Sequence, residues 1–348
     1  MKRNFSSTFA VLRKIKKPLK IENLSIPNIE DDQLLIKISY SYICGSQINE
    51  VNGNKGKDKF LPHVLGHEAS GKVIRVGKKV KKFKPNDKVF LSWIKKNNLE
   101  TKNQPYIDKN GLIVNSGQIS TFSKHTLIGQ NRVYKVPKNI PMDLAALLGC
   151  AIPTGFGIVF KHLIKTDRKS LIGIYGCGGV GMMCLISLKA LGFKNVYVVD
   201  KNLHNLKLAK KFDCEKIYHI KDIKKLKIIK NKSIKKNINI EISGNQRVMN
   251  FAINDLPNNG ICILAGNTKK GNKVNIDPYD LIFGKKIIGF SGMDISLEKN
   301  LNKYAKILKK TNIKKLRSLY KIYSLGQINK AIFDFKKGKV FRSLIKLN

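Results

Sequence analysis

The stretch Leu171-Ile-Gly-Ile-Tyr-Gly176-Cys-Gly178-Gly-Val-Gly181 decides the fold of this 348-residue chain, together with Val196-Tyr-Val-Val-Asp200 beyond it. The apolar, β-favouring run 171–175 stops at Gly176. Three glycines at G-x-G-x-x-G spacing then open a helical pattern from Val180 to Leu191. A second apolar run ends on Asp200, nineteen residues past Gly181. The first glycine permits a tight strand-to-helix turn. The second removes a Cβ where a pyrophosphate would approach the backbone, and the third lets helix and strand pack closely. The helix start offers free N–H groups and a partial positive charge to the phosphates. An acid where Asp200 stands binds the ribose hydroxyls of an adenosine half. A glycine triplet alone discriminates poorly. Strand, triplet, helix, second strand and terminal acid in order define a dinucleotide-binding βαβ unit.

Outward from this unit, residues 152–293 alternate apolar strands (171–175, 196–199, 238–242, 261–265 and 286–290) with helical patterns. Such alternation predicts an α/β fold, a doubly wound parallel sheet wrapped by helices. Residues 1–150 read as β-rich, with strands over 8–12, 34–40, 71–76 and 88–92 between Gly and Pro punctuation. After residue 293 come an amphipathic helix over 297–310 and a helix near 327–337. A closing strand follows over 340–345. The lysine-rich segment 221–237 carries Ile223, Leu226 and Ile229 at a spacing that predicts an exposed amphipathic helix. The expected domains are 1–151 with 294–348, and 152–293.

The chain is long enough for two domains with buried cores, and its 42% hydrophobic content is that of a folded protein. No secretory signal is visible at the start. The most apolar stretch, 144–160, is broken by Gly149, Pro153, Thr154, Gly155 and Gly157, which argues against a membrane span. The six cysteines are scattered, so reduced thiols and a cytoplasmic location are expected. The net charge of +44 suggests either a polyanionic partner or composition drift in an AT-rich genome. Lysines spread evenly among abundant Asn and Ile, without aromatic-interleaved basic stripes, favour the second reading, with no nucleic acid and no membrane as partner.

Three further pieces carry candidate chemistry. They are Cys44-Gly-Ser46-Gln47-Ile-Asn49, Gly66-His67-Glu68-Ala-Ser-Gly71 and Gly149-Cys150-Ala-Ile-Pro-Thr154-Gly. Two thiolates and an imidazole are ligands that Zn²⁺ prefers, and three protein ligands leave a position open. Taken singly, each has a plainer reading as a packed Cys or a satisfied His, and spacing alone does not join them.

The ordered set resembles the zinc-dependent alcohol dehydrogenases of the medium-chain dehydrogenase/reductase family. Gly66-His67-Glu68 with Gly71 resembles its G-H-E-x-x-G signature, Cys44-Gly-Ser46 its C-G-[TS] segment, and Pro85-Asn-Asp87-Lys-Val89 its G-D-[KR]-V turn. Gly149-Cys150, Thr121-Phe-Ser123 and Thr154-Gly155 resemble segments of the branch holding the classical and glutathione-dependent enzymes. Gly338-Lys-Val-Phe-Arg342 resembles the closing strand. The match runs from about residue 8 to residue 346.

The resemblance implies a GroES-like β-rich catalytic domain beside a Rossmann coenzyme domain, with substrate and coenzyme meeting in the cleft between them. It implies Cys44, His67 and Cys150 as zinc ligands, with Glu68 beside the metal and able to coordinate it. Ser46 becomes the hydroxyl that passes on the alcohol proton, and Trp93 a substrate-pocket wall, the plainer reading of Trp93 being a core or interface aromatic. Thr154, Gly176, Gly178, Gly179, Val180, Gly181, Asp200 and Arg342 would line the coenzyme. Asp200 favours NAD by repelling a 2′-phosphate; Lys201 softens that repulsion and leaves NADP as the lesser choice. The implied reaction is hydride transfer between NAD and an alcohol or carbonyl, with the alcohol (primary, secondary, polyol or sugar-linked) left open. The strand at 286–290 resembles an edge strand that pairs across a two-fold axis, implying a homodimer or a homotetramer.

Three departures stand out. Between Cys44 and Cys150 there is no cysteine, so a second, structural zinc is not expected and the segment 93–120 needs other anchors. Gln47 stands where relatives carry an Asp behind the ligand His, and Asn49 where several carry a relay His. The rival readings are a zinc-free quinone- or enoyl-type reductase, and a basic nucleic-acid or membrane-surface binder on a relic dehydrogenase fold. Retention of Cys44, His67, Glu68 and Cys150 speaks against both.

Overall fold

The computed structural model describes residues 5–96, 101, 103–214, 216–222, 237–269 and 271–347. The chain divides into two units, Met1–Cys150 with Ser296–Asn348, and Ala151–Ile295.

The first unit is built on two sheets. One runs His63–Val64, Phe5–Leu12, Lys20–Ile26, Tyr106–Ile107, Ile113–Val114. The other runs Val133–Lys135, Lys88–Ser92, Glu68–Val76, Gln33–Tyr42, Ser343–Lys346, Lys321–Ser324, with His125–Gly129 also pairing on Gln33–Tyr42. Strand Gln33–Tyr42 reads apolar on both faces because each face is covered. Leu34, Ile36 and Ile38 enter one buried cluster with Val73, Val89 and Ile345. Leu35 enters another with Phe9, Leu24 and Tyr106. Each such side chain, fully withdrawn from water, contributes about 1.5–3 kcal/mol. Helix Ile328–Lys336 lies along the closing strand, bound through the Ser343 hydroxyl, which donates to the Ala331 carbonyl at 2.9 Å.

Among the described residues, the second unit holds a six-stranded parallel sheet. Its spatial order is Lys216–His219, Val196–Asp200, Leu171–Tyr175, Asn237–Glu241, Ile261–Leu264, Lys286–Gly289. Numbered along the chain, that is order 3-2-1-4-5-6, the arrangement in which two βαβ halves meet at a switch point and leave a crevice at the carboxyl ends. Val196, Val198 and Val199 and Ile238 and Ile240 are buried, as expected of strands covered on both faces.

Helix Leu297–Lys310 starts on Ser296, whose hydroxyl accepts from Lys299 N at 3.5 Å. The final strand starts at Ser343 rather than residue 340. Strands Lys20–Ile26, His125–Gly129 and Lys321–Ser324 were not foreseen. Of the helix expected over 221–237, residues 223–236 lie outside those described. Among the described residues, no single helix is long and apolar enough to cross a membrane.

Candidate metal centre and dinucleotide cradle

Sheet register brings the candidate ligands together. Cys44 follows strand Gln33–Tyr42 and caps the helix Gly45–Val51. His67 precedes strand Glu68–Val76, which pairs with Gln33–Tyr42 through Ser41 opposite Ala69, and with Lys88–Ser92 through Glu68 opposite Ser92. Cys150 ends the turn after Gly149. A Cβ at Gly149 would lie 2.3 Å from the Leu91 carbonyl and 2.8 Å from Glu68 Cα, so only glycine lets this turn lie against both strands. The Ser92 hydroxyl donates to the Gly149 carbonyl at 2.7 Å and fixes it there.

The result is one cluster: the ligand atoms of Cys44, His67, Glu68 and Cys150 all lie within 4.8 Å of one another. Gln47 holds the frame. Its Oε1 accepts from Cys44 N at 2.9 Å, and its amide nitrogen meets His67 Nδ1. Ser46 Oγ is 3.4 Å from the same ring nitrogen. The other nitrogen, Nε2, is buried with no hydrogen-bond partner among the described residues, and could face a metal. Asn49 is turned to Asn54, whose amide donates to it at 3.2 Å.

The electrostatics suit a cation. Cys150 donates to Cys44 and pulls the Cys44 thiol well below its usual range, while Cys150, left beside that charge and buried, rises well above. Burial pushes His67 down, but the adjacent Cys44 outweighs it and holds the ring above its usual value. Burial raises Glu68 against the pull of Arg342. A soft donor set of two sulfurs and one imidazole, with a buried unpartnered ring nitrogen, fits Zn²⁺.

Arg342 belongs to this first unit. It is buried, pairs with Glu68 and donates to the Ile43 carbonyl at 3.5 Å. This contact with Glu68 had no sequence signal, since the residues are far apart in the chain. Trp93 follows strand Lys88–Ser92 and is half-buried. Its carbonyl accepts from Arg132, and its indole N–H is buried with no partner among the described residues.

Where a second zinc lobe was not expected, the segment is tied by side chains. Arg13 bonds Glu22 at 3.0 and 2.5 Å and Asp108 at 2.7 Å. Thr101 donates to Asp32 at 2.7 Å, and the Tyr106 hydroxyl lies 3.0 Å from Ser120 Oγ.

In the second unit the glycines have separate tasks. Gly176 has φ +97° and ends the first strand; a Cβ there would meet Ser243 N at 2.7 Å. A Cβ on Gly181 would sit 2.1 Å from the Gly176 carbonyl. On Gly178, which caps helix Gly179–Ala190, it would meet nothing within 4 Å, leaving open space before the helix start with Gly179 and Val180. Asp200 accepts from Cys177 N and Asn202 N, each at 2.7 Å, and from Asn205 at 3.4 Å. Thr154 precedes Gly155, whose Cβ would lie 2.6 Å from the Val180 carbonyl, so its helix Ala151–His162 lies against the cradle. Glu241 went unremarked in the sequence. It is buried, accepts from Ser243 N at 2.8 Å and from Gly244 N at 3.2 Å, and is pushed up to about 7 by burial.

A donor cluster that could hold a metal in one unit and a glycine-rich strand-to-helix turn in the other are the parts a metal-dependent dehydrogenase needs. Comparison with known proteins agrees. The alcohol dehydrogenase GroES-like domain matches residues 30–138, and the zinc-binding dehydrogenase domain residues 179–310. The chain is 25% identical to S-(hydroxymethyl)glutathione dehydrogenase of Saccharomyces cerevisiae, over 97% of this chain and 95% of that protein. It is 28% identical to the class-3 alcohol dehydrogenase of Dictyostelium discoideum, over 97% of each. Benzyl alcohol dehydrogenase from Acinetobacter calcoaceticus shares the fold, with TM-score 0.86 and 23% identity over 99% of this chain and all of that one. The chain belongs to the zinc-dependent alcohol dehydrogenases of the medium-chain dehydrogenase/reductase family. It is a zinc-dependent alcohol oxidoreductase.

Proposed function

We propose that the chain transfers hydride between NAD and a small alcohol or its carbonyl partner, using a single zinc held by Cys44, His67 and Cys150. The observation that carries this reading is the convergence of those three donors with Glu68 within 4.8 Å. Zinc held there would supply Lewis acidity toward a substrate oxygen, and a nicotinamide held by the second unit would supply the hydride chemistry.

The protein's own residues do the rest. Gln47 fixes the His67 ring through Nδ1 and leaves Nε2 for the metal. A neutral amide orients the ring but lends it less basicity than a carboxylate would. Ser46 is the proposed first carrier of the alcohol proton. Asn49 cannot titrate, so it would not take that proton on from Ser46. The indole of Trp93 walls the substrate pocket. In the second unit, the start of helix Gly179–Ala190 receives the pyrophosphate and Thr154 borders it. Asp200, held by two backbone N–H groups, takes the ribose hydroxyls and repels a 2′-phosphate, which supports NAD over NADP. Arg342 is assigned to the coenzyme pyrophosphate by resemblance, while its Glu68 contact ties it to the metal cluster.

Assembly through the edge strand Lys286–Gly289 is part of the same proposal. Exposed Tyr279, Ile282 and Met293 flank that strand, at 64%, 79% and 75% exposure, and support a dimer or a tetramer built on it. The test is a panel of alcohols read by NADH absorbance with and without a zinc chelator, alongside metal analysis. About one zinc per chain and chelator-sensitive NAD reduction are expected. Alcohol turnover indifferent to metal removal would sink the reading.

A further inference from the structure

Tyr42 lies two residues before Cys44 and is fully buried. The guanidinium carbon of Arg342 stands 4.8 Å from the centre of its ring. Tyr320 meets the ring edge-on, with centroids 5.5 Å apart and planes at 82°. Tyr320 is itself anchored: its hydroxyl donates to Asp143 at 2.5 Å, and Arg317 donates to the same oxygen at 2.8 Å. From Asp143 to Glu68 there is therefore one continuous stack: carboxylate, phenol, phenol ring, guanidinium, carboxylate.

Beyond its pair with Glu68, hydrogen bonds hold Arg342 only loosely: its Nε is buried without a partner among the described residues, and its contact to the Ile43 carbonyl is long, at 3.5 Å. The aromatic face sets the plane of the guanidinium and replaces the water it has lost. The Tyr42 hydroxyl is also buried without a partner among the described residues, so the ring rather than the hydroxyl does this work. At the other end of the stack Glu68 sits in the ligand cluster. A free carboxylate there competes with substrate for the cation that the two sulfurs and the imidazole would hold. A carboxylate whose charge is shared with a guanidinium is a poorer donor.

We propose that Tyr42 is a positioning residue: its ring clamps Arg342 onto Glu68 and so keeps Glu68 from closing the metal's open position. The proposal rests on the metal assignment above, and the test separates the two. The protein is loaded with Co²⁺ in place of zinc. Thiolate-to-cobalt bands report the ligand cluster, and titration with imidazole, followed in the visible d–d bands, reports whether a position is open. Tyr42→Phe is expected to bind imidazole as the wild type does. Tyr42→Leu is expected to bind it about tenfold more weakly, within the range seen when groups behind a ligand are removed. The double variant Tyr42→Leu/Glu68→Gln is expected to return to the wild-type value. Unchanged imidazole binding in Tyr42→Leu, or no rescue by Glu68→Gln, overturns the proposal. If Tyr42→Leu does not fold, Arg342→Met is expected to show the same weakening and the same rescue, and unchanged binding there overturns it equally. Absence of thiolate–cobalt bands in the wild type overturns the metal assignment beneath it.

Discussion

Gly178 and Gly181 belong to one motif yet answer to different partners. A methyl group on Gly181 would press on the Gly176 carbonyl at 2.1 Å, so Gly181→Ala must push helix Gly179–Ala190 off its strand. A loss of about 2 kcal/mol is expected, read by thermal denaturation, with dinucleotide binding lost as well. A methyl group on Gly178 meets nothing of the chain within 4 Å. Gly178→Ala should keep its stability to about 0.5 kcal/mol and lose affinity for NAD(H), read by coenzyme fluorescence, because only the ligand meets the new Cβ. Glu241 gives a pH signature. Burial lifts its pKa from 4.5 to about 7 in the folded chain. Through that window the folded state holds a proton that the unfolded state has released, so this residue makes stability fall as pH rises from about 4.5 to about 7. Glu241→Gln should flatten that slope in melting temperature measured across the same range.

Among the elements, the turn between Tyr106–Ile107 and Ile113–Val114 is tied through Asp108 to Arg13. Arg13→Met should release Asp108 and Glu22 together, cost about 1 kcal/mol, and open the turn between these strands to limited proteolysis. Metal content and turnover should be unchanged, because the cluster is held by other strands. The elements legible in the sequence were those whose burial is uniform or strictly periodic. Leu171–Tyr175 and Val196–Asp200 are covered on both faces and read as unbroken apolar runs. Helix Leu297–Lys310 has a serine cap and one buried stripe. Lys20–Ile26 was missed because most of it is not fully buried, leaving little periodic apolar signal. The cradle was legible because its residues are contiguous. The candidate metal cluster was not legible from spacing: its donors meet through the registers Ser41 to Ala69 and Glu68 to Ser92, and resemblance alone joined them. The stack through Tyr42 and Arg342 is tertiary throughout, and no local pattern announces it.

At the scale of the whole molecule, the charge of +44 is a field rather than a site. It attracts an anionic dinucleotide at long range and is screened by salt, with a Debye length of about 10 Å at 0.1 M. The association rate of NADH, followed by stopped-flow fluorescence, should fall severalfold between about 0.05 and about 0.5 M salt, with little change in dissociation. None of the six cysteines is in a disulfide, but they are not equal. Cys150, Cys177, Cys184, Cys214 and Cys262 are buried, and burial pushes Cys177, Cys184 and Cys262 up into their unreactive protonated form. Cys44 alone is partly exposed and held toward thiolate. A mild alkylating reagent should therefore add one carbamidomethyl mass to the demetallated chain and none to the zinc-loaded one. The natural sequence thus offers a single attachment point for a dye or an isotope, and peptide mass mapping can follow occupancy of the centre in a crude extract, without any cysteine being introduced or removed.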